Sequence, residues 1–181
     1  RIGRLLAREL VIQGNGKQLR VRAIVTRGND ANQIEKRASL LRHDSVHGQF
    51  RGIALESPDD KTIYINGHKV LMLAANAPEE IDYTEYGINN AILIDNTGIF
   101  RDREGLSRHL NAKGISKVVL TAPGKGDIPN IVYGVNHLNL DLKIENIFSA
   151  ASCTTNAIVP ALSVIDEEYN ILKGHVETIH S

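Results

Sequence analysis

The 181 residues contain a single cysteine, which excludes an internal disulfide and a cysteine-rich metal centre. An excess of charge is lacking as well: 21 basic and 21 acidic side chains give a formal net charge of +0. Without a basic stripe there is no electrostatic footprint for nucleic acid, and without a like-charge run there is no solvated tail. No apolar run approaches the ~18 residues that suggest a membrane span, and no signal-peptide pattern opens the chain. Six histidines (His43, His47, His68, His109, His137 and His175) show no metal-ligand spacing on a common face, so no metal is expected. What remains is a chain of one to two domains, with neither nucleic acid nor a membrane expected as a partner. A working thiol belongs in a reduced compartment, the cytoplasm by default.

Hydrophobic periodicity organises the rest. Ile2, Leu5, Leu6 and then Leu10 to Ile12 recur at helical spacing, and Gly14-Asn15-Gly16 stops that helix. Leu19, Val21, Ala23 and Val25 alternate as a strand, and a second helix is expected from about Ala31 to Arg42. Short strands follow at 53–56, 62–65 and 69–73, with Asn66-Gly67 as a two-residue hairpin signal. Ala91 to Asp95 and Lys117 to Leu120 read as buried strands on either side of a helix from Arg103 to Asn111. Strands alternating with helices imply βαβ crossovers, so the expected fold is α/β: a doubly wound, mainly parallel sheet with an antiparallel hairpin excursion at 53–73.

The cysteine sits in Ser149-Ala150-Ala151-Ser152-Cys153-Thr154-Thr155-Asn156, after an apolar strand (Ile144 to Phe148) and at the start of a helix reaching about Tyr169. A thiol at a helix N-terminus meets unpaired N–H groups and the positive end of the macrodipole, which favour its nucleophilic thiolate form. Hydroxyls at 152, 154 and 155 crowd the same point. His180 lies 27 residues beyond Cys153, at the end of a segment (Gly174 to Ile179) that reads as a returning strand. An imidazole brought back beside the helix start would serve as the general base. The blander alternatives are a buried structural thiol and a solvated histidine. Two glycine patterns carry no phosphate chemistry: Gly14-Asn15-Gly16-Lys17 follows a helix, and Gly124-Lys125-Gly126-Asp127 lacks P-loop spacing.

Ser149 to Asn156 closely resembles the active-site segment of the phosphorylating glyceraldehyde-3-phosphate dehydrogenases, and the interval to His180 is that family's nucleophile-to-base spacing. Further segments follow in the family's order: Arg1 to Arg4, Asp44 to Phe50, Asn66-Gly67, Asn96-Thr97-Gly98, Lys117 to Pro123 and Gly134 to His137. The resemblance implies that Cys153 and His180 are the catalytic pair, and that Ser152, Cys153 and Thr154 face the substrate and the attacking phosphate. It further implies NAD as cofactor, with Arg1 and Ile2 matching backbone positions at the pyrophosphate and Gly3 matching the third glycine of the fingerprint. Thr97, Gly98 and Thr121 would lie along the nicotinamide side. Asp30 matches the carboxylate that holds the adenine ribose, but Thr26-Arg27-Gly28 precedes it as an insertion. Arg27 would suit a 2′-phosphate, so NAD and NADP both stay open. Asn76 stands where the family commonly has an arginine near adenine.

The implied reaction converts glyceraldehyde 3-phosphate and inorganic phosphate to 1,3-bisphosphoglycerate through a Cys153 thioester, within a homotetramer. Residues 1–150 are expected to form the NAD(P)-binding domain, and 151–181 to open a catalytic domain. The first glycine-rich strand and most of the catalytic domain are expected outside these residues, which would leave sheet edges exposed and the fragment alone inactive and poorly soluble. Two alternatives are an erythrose-4-phosphate dehydrogenase and a truncated nucleotide-binding module.

Overall fold

The computed structural model describes residues 1–14, 19–27, 32–57 and 61–179. The chain divides into two compact units, Arg1–Ile88 and Asn89–Ser181. In the first, α1 (Ile2–Gly14), β1 (Ala23–Thr26), α2 (Asn32–Arg42), β2 (His43–Asp44), β3 (Gly48–Gln49), β4 (Ala54–Ser57), β5 (Thr62–Ile65) and β6 (His68–Ala74) follow one another. Sheet order is β1-β6-β5-β4. β1 pairs parallel to β6, in register from Ala23↔Leu71 to Thr26↔Ala74, whereas β4, β5 and β6 are antiparallel. That is the excursion expected from the sequence. Asn66 and Gly67 join β5 to β6 at φ values of 48° and 79°. A two-residue hairpin needs such left-handed residues to match the twist of its strands.

The apolar spacing of the helices is what closes this unit. Ala7 and Val11 from α1, with Ile34, Ala38 and Leu41 from α2, bury against Ile63, Ile65, Val70 and Met72 of the sheet. The alternation that begins at Leu19 becomes a strand only from Ala23, because only residues 23–26 find ladder partners in β6. Leu19 itself stays about half exposed, at 53 %.

The second unit holds β7 (Ala91–Asp95), α3 (Arg103–Leu110), β8 (Ile115–Leu120), β9 (Ile147–Ser149) and α4 (Cys153–Tyr169). Its three strands form a parallel sheet in the order β7-β8-β9. α3 begins where the Asp102 side chain accepts the Gly105 N–H at 2.8 Å, and it lays Leu106 against Val118, Leu120 and Ile147. Among the described residues β1 pairs only with β6 and β7 only with β8, so each is the outer strand of its own sheet. The strand expected over 174–179 does not form; those residues are irregular and exposed. They have no ladder partner among the described residues, and a lone extended segment is unstable in water. No helix of the described residues is long and apolar enough to cross a membrane.

Asp44 anchors the polar side of the first unit. Its Oδ1 accepts the N–H groups of Val46 and His47 at 3.0 Å each, and its Oδ2 lies 3.6 Å from Arg1 and 3.5 Å from Arg4. The backbone bonds from His47 and Val46, helped by the His47 ring and the Arg1 charge, outweigh burial and hold this carboxyl well below the usual range. A carboxylate depressed in this way stabilises the fold above its unfolded value and loses that contribution as pH falls through its folded value. Asp44→Asn keeps an acceptor for both amides but removes the charge. Thermal melts should show the wild type losing stability below about pH 4, with a shallower acid loss in Asp44→Asn. Parallel pH profiles for the two proteins would show that Asp44 is not the titrating anchor.

Candidate active site at the ends of three parallel strands

Parallel pairing sets Asp95 opposite Leu120 and Leu120 opposite Ser149. The loops leaving β7, β8 and β9 therefore emerge side by side at the carboxyl edge of the sheet, where ligands of α/β folds bind.

The β9 loop is braced from below. The Ser149 hydroxyl is fully buried; it donates to the Ala122 carbonyl at 2.6 Å and accepts the Ala151 N–H at 2.9 Å. Ala150 N–H reaches the Leu120 carbonyl at 2.8 Å. Ala151 then turns with φ of 59°, a left-handed conformation that costs a residue with a Cβ. The Asn156 amide spans that turn, donating to the Ala150 carbonyl at 2.7 Å and the Ser152 carbonyl at 2.9 Å. Ser152 is the N-cap of α4: its hydroxyl accepts the Thr155 N–H at 2.9 Å and lies 2.7 Å from the Thr155 hydroxyl. Cys153 is the first residue of α4, free and exposed, and Thr154 beside it is half-buried. The sulfur thus stands at the start of α4, the positive end of that helix's dipole.

The β7 loop carries Thr97, which is exposed, and Gly98, which has φ of 68°. A Cβ at Gly98 would meet nothing nearer than the Arg101 guanidinium at 4.0 Å, so a flat ring has room to approach this backbone. Thr121 opens the β8 loop with its hydroxyl turned to the sheet, 3.1 Å from both the Asp95 carbonyl and Asn96 Oδ1. Gly124 is required by packing, since a Cβ there would fall 2.6 Å from Ile128 Cγ2. In the first unit Arg1 and Ile2 are exposed at the start of α1, Gly3 follows, and no acidic residue occupies the first turn. The Arg1 side chain is held by Ser45 Oγ at 3.1 Å. Taken each in its own unit, an open helix start suits a pyrophosphate and an accessible strand-end loop suits a nicotinamide. The Asn76 N–H is committed to the Glu80 carboxylate at 2.8 Å. Asp30 and His180 lie outside the described residues.

Residues 1–103 match the family model described as the NAD binding domain of glyceraldehyde 3-phosphate dehydrogenase. The chain belongs to the glyceraldehyde-3-phosphate dehydrogenase family. It is 54 % identical to a glyceraldehyde-3-phosphate dehydrogenase-like protein of Pseudomonas aeruginosa, across 100 % of this chain and 39 % of that protein. Glyceraldehyde-3-phosphate dehydrogenase 2 of Bacillus subtilis is 36 % identical over 100 % of the chain and 50 % of its own length. Chloroplastic glyceraldehyde-3-phosphate dehydrogenase A of Zea mays is 39 % identical over 100 % of the chain and 43 % of its own length. The chain therefore spans half or less of these curated relatives. Its Rossmann-type α/β fold and its NAD class are those of the matched family domain.

Sequence reasoning named the loops but not what holds them. Ser149 was legible only as part of the cysteine segment, and Asp95 only as the end of a strand. Ser149→Ala leaves the Ala122 carbonyl and the Ala151 N–H without their partner. It should cost about 1–3 kcal/mol in urea unfolding of the intact protein. A midpoint unchanged from wild type would remove Ser149 as the brace of the cysteine turn.

Proposed function

We propose that this chain carries the NAD(P)-binding domain (1–150) and the opening of the catalytic domain (151–181) of a phosphorylating glyceraldehyde-3-phosphate dehydrogenase. The observation that carries the reading is Cys153, free and exposed on the first turn of α4, beside strand ends whose loops fit a dinucleotide. Cys153 supplies the thiolate that bonds to the aldehyde carbon of glyceraldehyde 3-phosphate, giving a hemithioacetal. His180 takes the hydroxyl proton as that adduct is oxidised to a thioester. NAD, when bound, supplies the hydride acceptor, held by Arg1, Ile2, Gly3 and Asp30 at its pyrophosphate and adenosine end and by Thr97, Gly98 and Thr121 at its nicotinamide end. Inorganic phosphate then attacks the acyl carbon and the Cys153 sulfur leaves, yielding 1,3-bisphosphoglycerate. Ser152 and Thr154 flank the sulfur and help hold that phosphate, and the Cys153 N–H faces the tetrahedral oxyanion. We place the activity in the cytoplasm and in a homotetramer, in line with the family resemblance.

The test uses the intact protein. Cys153→Ala should abolish the acyl-enzyme that mass spectrometry detects after mixing with aldehyde and NAD. His180→Asn should retain NAD binding while slowing alkylation of Cys153 by iodoacetamide by a factor of about 10²–10⁴. Alkylation at the wild-type rate in His180→Asn would sink the catalytic pair. Turnover of erythrose 4-phosphate in preference to glyceraldehyde 3-phosphate, without a phosphate requirement, would assign the sister activity instead.

A further inference from the structure

Asp95 ends β7 with a side chain wholly shielded from solvent, at 0 % exposure. Its Oδ1 accepts the Thr97 N–H at 2.6 Å. Its main-chain carbonyl accepts both the N–H and the hydroxyl of Thr121, at 3.0 and 3.1 Å. One residue therefore grips the loops leaving β7 and β8. Its remaining oxygen, Oδ2, faces His109 Nε2 at 3.2 Å.

His109 sits on the last turn of α3, 12 % exposed, with its ring edge against Phe100 at 5.7 Å. The other ring nitrogen, Nδ1, is buried and has no hydrogen-bond partner among the described residues. Among the described residues the imidazole thus makes one polar contact, and that contact is Asp95. Burial pushes the Asp95 carboxyl up, but the bonds from His109 and Thr97 outweigh it and leave the group below its ordinary value. An ionised carboxylate only accepts, so Nε2 carries the hydrogen and donates. With Oδ2 held by a helix packed on the sheet, the carboxylate plane is fixed and Oδ1 stays beneath the Thr97 amide. Without that hold the plane is free to rotate about χ2, a broad torsion, and the Thr97 turn loses its acceptor.

We propose that His109 is a positioning residue for the cofactor: by fixing Asp95 it sets the conformation of Asn96-Thr97-Gly98 that meets the nicotinamide side of NAD. This rests on the assignment of that loop to NAD under the proposed function. The contact spans 14 residues of sequence and links α3 to a loop that α3 does not otherwise form. Its effect falls on one ligand. The aldehyde and its nucleophile belong to the β9 loop, which is braced separately through Ser149 and Asn156.

The experiment is steady-state kinetics and direct NAD binding on the intact protein with His109→Phe, His109→Gln and Asp95→Asn. Phenylalanine keeps a ring against Phe100 but donates nothing; glutamine places an amide N–H near the position of Nε2. His109→Phe should raise KM and Kd for NAD about three- to tenfold, the equivalent of one hydrogen bond. KM for the aldehyde phosphate and the alkylation rate of Cys153 should stay at wild-type values. His109→Gln should recover most of the NAD affinity, and Asp95→Asn should match the phenylalanine variant. A merely structural histidine would lower the fraction of active enzyme and its melting temperature but leave KM for NAD unchanged, which would overturn the proposal. So would a parallel rise in both KM values. If His109→Phe does not fold, the comparison of Asp95→Asn with His109→Gln decides by the same criterion. Absence of NAD binding in the wild type would instead strike the proposed function itself, a result separable from any difference among the variants.

Discussion

The alignment of Asp95, Leu120 and Ser149 across three parallel strands is the constraint on which the candidate active site depends. It is fixed by packing below the loops. Leu106 on α3 presses on Val118 and Leu120, both fully buried, while Ile147 fills the adjacent position of β9. A one-residue slip of β9 would turn Ile147 out of that core and carry Ser149 away from the Ala122 carbonyl. The hydrogen bonds that shape the cysteine turn therefore stand on hydrophobic register. In this unit the apolar core decides where a nucleophile can be, and the polar contacts decide how it is held.

Both units solve the problem of the strand end in the same way. Asp44 ends β2 and accepts the N–H of Val46 two residues on; Asp95 ends β7 and accepts the N–H of Thr97 two residues on. Aspartate side chains favour this local capture, which bends the chain without a partner strand. Each carboxylate also has an imidazole at 3.2 Å, His47 in one case and His109 in the other. The surroundings then separate them. His47 is about half exposed (52 %) and shares its carboxylate with two arginines, whereas His109 is 12 % exposed and is the ring partner of Asp95. The first arrangement anchors a surface hairpin and the second braces a loop that fits a ligand.

Local chemistry was legible in the sequence wherever neighbours in the chain decide the structure. Asn66-Gly67 made its hairpin, and the helix expected from Thr154 to about Tyr169 runs from Cys153 to Tyr169. Tertiary contacts were not legible. Nothing in the pattern around His109 points to Asp95, because the link is made by the last turn of α3 meeting the end of β7 rather than by spacing along one element. The segment 174–179 alternates like a strand, yet alternation supplies no ladder, and the segment stays irregular without a partner among the described residues. Leu19 and Val21 alternate too but make no ladder pair with β6.

The hydroxyls around Cys153 divide between structure and chemistry in a way that bears on the inorganic phosphate of the proposed reaction. Ser152 spends its oxygen on the Thr155 N–H, and the two hydroxyls lie 2.7 Å apart, so one proton serves the contact between them. A pair of hydroxyls sharing one bond retains the other proton for a ligand. The pair can then offer an anion a single O–H at the positive end of the α4 dipole. No arginine or lysine lies within that turn, Cys153 to Asn156. Such a set binds phosphate by oriented dipoles rather than by an ion pair, which is weaker and easily reversed. On the proposed chemistry that is the requirement: the acyl group stays covalently attached to Cys153, while inorganic phosphate must enter, attack and depart with it. A tight cationic clamp built into this turn would retain the product. On the same proposal, a capped helix start with neutral hydroxyl donors releases it.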